Sequence, residues 1–248
     1  MNGSAVSGPD LRGTALVILF CFPMTSAAQA VERPRLVEEL LTGERVTLQD
    51  EKELEASFGF DDRSLSALET LTLTLRLEYG ISERLQVEVE APWARLKIAD
   101  STHAGLGDLE IGALFGIVTS LEPWALSAGV RVHVPSGSRS GNPGGDDWAA
   151  EPTLLTAMTL GAGQVQASAS WSTEPSAPRW SFHAALIEPW RAWRGVLEIE
   201  ASEKGSSTLT PGVIWHVPAL EVGIGCPLGL SHDAPSGVIV KVTKEFQF

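Results

Sequence analysis

The run Thr70-Leu71-Thr72-Leu73-Thr74-Leu75-Arg76-Leu77-Glu78-Tyr79 alternates without a break. Leu71, Leu73, Leu75, Leu77 and Tyr79 share one face of an extended strand, and Thr70, Thr72, Thr74, Arg76 and Glu78 share the other. A helix would scatter the same leucines around its axis. Gly80 to Arg84 reads as a turn and Leu85 to Ala91 resumes the alternation, which predicts a hairpin.

The same rule applied from Ser57 onward predicts twelve strands, near 52–60, 70–79, 85–93, 108–117, 124–134, 148–160, 164–172, 180–188, 195–202, 208–217, 219–231 and 238–248. Short connections are expected at 80–84, 118–123 and 161–163, and long ones at 94–107 and 135–147. Even strand number, strands of about ten residues and loops of unequal length at the two rims predict an all-β fold. The expected architecture is a transmembrane antiparallel up-and-down β-barrel of about 12 strands. A water-soluble β-sandwich alternates as well, so the chemistry of the two faces has to decide.

Tryptophan placement favours the membrane. Trp93, Trp148, Trp171 and Trp180 are expected at the long-loop ends of strands, and Trp124, Trp190, Trp193 and Trp215 at the short-turn ends. Indoles gain most at the boundary between hydrocarbon and headgroups, so two rings of Trp suit a spanning barrel. Charge favours it too. On the Arg76 face fall Glu53, Glu55, Glu78, Glu88, Glu90, Glu110, Glu151, Glu198, Glu200, Glu221 and Glu245, against Arg76, Arg131 and Lys241 and beside His133, His183 and His216. The Leu71 face has Lys244, near a rim, as its main internal exception.

Ahead of the strands, Arg12, the apolar run Ala15 to Phe22 and the small residues Ala28 and Ala30 have the layout of a cleavable signal peptide over 1–30. Residues 31–50 are expected to form a periplasmic tail or a short plug, and 51–248 the outer-membrane barrel. Cleavage leaves Cys226 as the single thiol, so no internal disulfide is available. No Cys/His spacing suits zinc, and no cofactor or metal is expected. The net charge of −13 supplies no basic stripe for nucleic acid.

Three motifs point to a family. Gly105-Leu106-Gly107-Asp108 opens a strand, Val134-Pro135-Ser136-Gly137 follows the next one, and Lys244-Glu245-Phe246-Gln247-Phe248 ends the chain. Together they resemble the outer-membrane transporter family associated with the meta-pathway of phenol degradation, with Ser136 where that family has Thr and no Tyr near the terminal Phe. The resemblance implies a twelve-strand outer-membrane barrel and passage of small, including aromatic, compounds. A C-terminal aromatic such as Phe248 resembles the signal read by the barrel assembly machinery. Read without the family, Gly105 and Gly107 are expected to adopt backbone angles closed to other residues, and Asp108 to bond backbone amides.

A twelve-strand barrel has a backbone diameter of roughly 24 Å. Small inward residues such as Gly112, Gly116, Gly129, Gly212, Gly223, Gly225 and Gly229 predict a partly open bore. The expected lining is Arg76, Glu78, Glu88, Glu90, Glu110, Arg131, His133, Glu198, Glu200 and Lys241, which favours cations or neutral solutes. The alternative is a filled, non-conducting or ligand-binding barrel. A hydrolase using His103, or His232 with Asp233, beside Ser136, Ser138 or Ser140 is the remoter alternative, because nothing places a nucleophile next to a base. Asp146 and Asp147 lack the further spaced oxygen ligands that calcium needs.

Overall fold

The computed structural model describes residues 40–66, 68–119, 124–137, 147–174, 180–217 and 220–248. The expected signal peptide, residues 31–39 of the segment after it, and Ser138, Ser140 and Asp146 lie outside the described residues.

Fourteen strand segments follow one another: β1 (Glu53–Leu65), β2 (Leu68–Ser82), β3 (Leu85–Ile98), β4 (Ser101–Leu106), β5 (Leu109–Val118), β6 (Trp124–Val134), β7 (Ala149–Leu160), β8 (Gly163–Trp171), β9 (Trp180–Trp190), β10 (Trp193–Ser202), β11 (Ser207–Val217), β12 (Leu220–Gly225), β13 (Leu228–Gly229) and β14 (Ser236–Gln247). Both β4 and β5 pair with β3, so they make one wall strand interrupted at Gly107 and Asp108. Likewise β12 and β13 both pair with β11, with Cys226 and Pro227 between them. The wall therefore has twelve antiparallel strands. It closes where β1 meets β14, from Glu53 opposite Gln247 to Ser64 opposite Ser236. Closure leaves no sheet edge, as a backbone surrounded by hydrocarbon requires.

Between the rims the outward face is predominantly apolar. Leu75, Val89, Val130, Leu154, Leu186, Leu197, Val213 and Val242 are all exposed, as no soluble barrel would leave them. The indoles form two belts. Trp193 stands directly opposite both Trp190 and Trp215 at one end, and Trp171 opposite Trp180 at the other. From Trp180 to Trp190, β9 runs eleven residues, or about 25 Å along the axis at the usual strand rise and a tilt near 40°. That height equals the apolar band of a spanning barrel, about 25 Å. Outward Lys244 sits at the short-turn rim, with its Nζ 5.2 Å from the centre of the Phe246 ring.

Two sequence expectations need correction. The expected long connection at 94–107 is mostly paired strand: Trp93 to Ile98 runs beside Ser101 to Leu106, and Ala99 makes the turn at φ 50°. Residues 61–69, read as a connection, extend β1 and β2 almost to their tip. Beyond the hydrocarbon the outward positions need not be apolar: Arg95 and Lys97 follow Trp93 on the outward face, so the apolar outward stripe ends while pairing persists. For the same reason Trp93 marks the membrane boundary from within β3 and not from its end.

If the outward face meets lipid, Leu197→Arg at mid-height costs about 2–4 kcal/mol of folding stability in lipid vesicles. Denaturant titration followed by Trp fluorescence measures it, with exposed Glu203→Arg as the neutral control. An unshifted midpoint for Leu197→Arg would place that face outside hydrocarbon.

Candidate functional site

Residues 40–50 lie against the inner wall. Asp50 is at the short-turn rim, where the Lys52 amide donates to the Gly80 carbonyl at 2.9 Å and the Gln49 amide to Gln86 Oε1 at 2.8 Å. Higher up, Arg45 reaches Glu55 and Glu78, each at 2.9 Å. Gln49 Nε2 also donates to Glu55 at 2.7 Å, and Gln86 Nε2 to Glu78 at 3.0 Å. All five side chains are buried. Two carboxylates from adjacent strands are thus held by one guanidinium and one amide from residues 40–50 and a second amide from β3. Removing one partner of such a buried group costs roughly 3–5 kcal/mol.

The segment turns near Glu44, which pairs with Arg131, and then descends. There Glu198, completely buried, accepts the backbone amides of Leu41 at 2.7 Å, Thr42 at 2.9 Å and Gly43 at 3.0 Å. It also accepts the Thr42 hydroxyl at 2.6 Å and faces His183 Nε2 at 2.9 Å. Consecutive amides converging on one carboxylate make an anion-binding nest. Lys241 Nζ donates to the Leu40 carbonyl at 3.2 Å.

Leu40 and Leu41 pack with Ala185, Ile187, Val196 and Ile214, and Val46 packs with Ala125, Leu155, Ala157 and Leu114. The short-turn half of the lumen therefore contains a small hydrophobic core. A Cβ at Gly212, Gly223 or Gly225 would run into the Leu41 side chain, and one at Gly112 into Glu88. These small inward residues, expected to widen a bore, instead form the socket for Leu41 and the space for Glu88. The expectation of a partly open lumen is corrected accordingly for the short-turn half.

Toward the long-loop rim the lumen opens into two chambers of about 340 Å³ and about 200 Å³. Thr42, Gly43, Arg63 and Arg76 line both. Below them, between Arg45, Glu88 and Arg131, a void of about 20 Å³ remains, room for a single water.

Of the expected lining residues, Arg76 pairs with Glu90 at 2.7 Å. Arg131 gathers Glu44, Glu88 and Glu110, the last two at 3.1 and 3.3 Å. His133 lies 3.4 Å from Glu110 and 3.9 Å from Glu151. Glu78 and Glu198 hold residues 40–50, as does Lys241, while Glu200 borders the larger chamber, 3.9 Å from Arg63. Sequence reasoning missed several inward charges. Arg63 fell in a supposed connection, Arg194, 2.6 Å from Glu221, lay one residue before the expected strand, and Arg45 and Glu44 precede the alternating region. A lone Arg among Leu40, Leu41 and Val46 was the available signal for a buried cation.

Two of the sequence motifs meet. Asp108 Oδ1 accepts the Gly137 amide at 3.0 Å, and Ser136 Oγ accepts the Leu109 amide at 2.9 Å. This clasp ties the start of β5 to the end of β6. Neither Gly105 nor Gly107 has a positive φ, contrary to expectation. Gly107 is needed for close approach instead, since its amide bonds the Pro92 carbonyl at 2.8 Å and a Cβ would crowd the Pro92 ring. His232 pairs with Asp233 on an exposed loop at 3.2 Å, whereas Ser136 belongs to the clasp.

Arg45→Ala leaves Glu55 and Glu78 without their cation and is expected to loosen residues 40–50. In a Cys226→Ser background, Val46→Cys should react with a water-soluble maleimide at least about tenfold faster once Arg45 is replaced. Equal rates would mean that the apolar seat alone holds the segment.

Solved structures supply the comparison. The chain resembles the COG4313 outer membrane channel from Pseudomonas putida F1, at 15% identity over 84% of this chain and 100% of that one, with a TM-score of 0.62. It resembles the KdgM porin at 11% identity over 77% and 99%, TM-score 0.57. It also resembles the β domain of the Bordetella autotransporter BrkA at 10% identity over 80% and 100%, TM-score 0.51. No family model and no curated protein matches. Identities this low establish a shared fold alone: the chain has the barrel fold of outer-membrane channels and porins.

Proposed function

We propose that this protein is a passive channel of the bacterial outer membrane that admits small cationic or neutral polar solutes from the long-loop side. The observation that carries the reading is the pair of chambers, about 340 and 200 Å³, meeting above Thr42 and Gly43. A barrel evolved only as a solid wall has no use for that space. Residues 40–50 act as the plug, and passage requires them to shift, because Leu41, Val46 and Arg45 fill the cross-section below.

Charge supports the solute class. The chamber cations are already engaged: Arg76 with Glu90, Arg131 with Glu88, and Arg63 with Asp61 at 2.9 Å. Glu44, Glu151 and Glu200 border the larger chamber besides. The local field therefore repels anions and attracts cations. Aromatic compounds, implied by the family resemblance, are less favoured, because Ser, Thr and charged side chains dominate the chamber wall. Outer-membrane lipid and the barrel assembly machinery are the partners, the latter through Phe248.

The dense seat of Leu40 and Leu41 favours a second reading, a filled barrel without conductance. Planar-bilayer recordings separate the two. The full chain is expected to show small, infrequent openings with potassium preferred over chloride. Gly223→Leu, which occupies the Leu41 socket, should raise the open fraction several-fold. Glu151→Gln with Glu200→Gln should lower the potassium preference. Silence from both the parent and Gly223→Leu would favour the filled barrel, and chloride preference would refute the charge argument.

A further inference from the structure

One wall of the larger chamber is built from hydroxyls in register. Thr153 stands opposite Ser170 on the neighbouring strand, Ser170 opposite Ser181, and Ser181 opposite Ser202. All four line the chamber. They form a row at right angles to the strands across β7, β8, β9 and β10, with successive residues about 4.8 Å apart. One step lower runs a second row, Ser168 opposite His183, His183 opposite Glu200, and Glu200 opposite Thr208. The lower row also lines the chamber. Ser202 Oγ, at the end of the upper row, is shielded and has no hydrogen-bond partner among the described residues.

Hydroxyls in this arrangement select for a particular chemistry. Each Ser or Thr side chain both donates and accepts, and rotates to suit its partner. A row of them matches a solute whose own groups both donate and accept at every position, which describes the hydroxyls of a sugar or polyol. An anion would find the three chamber arginines already paired and Glu44, Glu151 and Glu200 beside it. An apolar ring would find no platform: Phe182, the one Phe, Tyr or Trp along the chamber among the described residues, is exposed on the outer face and stacks on Trp180 with ring centres 6.4 Å apart. The volume, about 340 Å³, lies in the range of small-ligand sites, roughly 300–1,000 Å³.

We propose that the chamber is a binding site for a neutral polyhydroxylated solute of one or two sugar rings, held by the Thr153, Ser170, Ser181 and Ser202 row, with the Glu200 carboxylate accepting beneath. The site rests on the channel reading for the route by which a solute arrives, but its occupancy does not depend on conductance.

Calorimetric titration of the full chain tests it, in an amine-oxide detergent so that no glycoside detergent competes. Maltose and sucrose are the probes, against glutamate, lysine and phenol. Maltose or sucrose is expected to bind with a dissociation constant of about a millimolar. Ser170→Val combined with Ser181→Val should weaken binding at least tenfold, and Thr153→Val, which preserves shape, should weaken it in the same direction. Circular dichroism and heat-modifiable migration establish that each variant is folded. Absence of sugar binding to the parent, preferential binding of glutamate, lysine or phenol, or undiminished sugar binding by the folded variants would overturn the proposal. Sugar binding in a protein that never conducts would uphold the site and overturn the channel.

Discussion

A carboxylate turned into an enclosed lumen must find donors there, because leaving it bare costs several kcal/mol. Alternation sends every second side chain inward, and in this chain many of those side chains are Glu. The wall supplies some of the donors, through Arg76, Arg131 and Arg194. Others come from residues 40–50. Arg45 neutralises Glu55 and Glu78 together, and the amides of Leu41, Thr42 and Gly43 surround Glu198. The inner wall and the segment inside it are thus electrostatically incomplete without one another.

The balance between packing and polarity differs along the axis. Near the short-turn rim, Ala125, Leu155, Ala157, Ile187 and Ile214 face inward and are covered by Leu40, Leu41 and Val46. A water-filled bore would leave those apolar groups wet, so their burial favours a seated segment. Above Glu44 the inward residues become Ser, Thr and charged groups, and the segment no longer covers them. The transition falls at the height where the chambers begin.

The wall was largely legible in the sequence because the hydrocarbon enforces period 2 on it, as Thr70 to Tyr79 and Leu85 to Ala91 show. Legibility failed wherever that constraint ended. Arg95 and Lys97 stand beyond the lipid, so β3 and β4 continued unseen. Residues 40–50 have no lipid face and no regular period; their fit is set by complementarity to side chains from most strands of the wall, which one-dimensional spacing does not encode. The glycines were misread for a related reason. Gly212, Gly223 and Gly225 are small in order to admit Leu41, and a small residue looks identical in sequence whether the space above it holds water or another side chain. Among the candidate lining residues, inward direction followed from parity, but the partner of each did not.

Thr42 and Gly43 occupy both worlds. Their amides and the Thr42 hydroxyl hold Glu198, while the same residues form the floor shared by the two chambers. His183 is also shared, lying 2.9 Å from Glu198 and on the wall of the larger chamber. A movement that released the amide nest would remove the floor, and a solute pressing on the floor would bear on the nest. The chamber and the latch beneath it therefore cannot change shape independently. Any solute that gains contacts with Thr42 in one position of the segment and loses them in the other must, by its differential affinity, bias the segment between those positions.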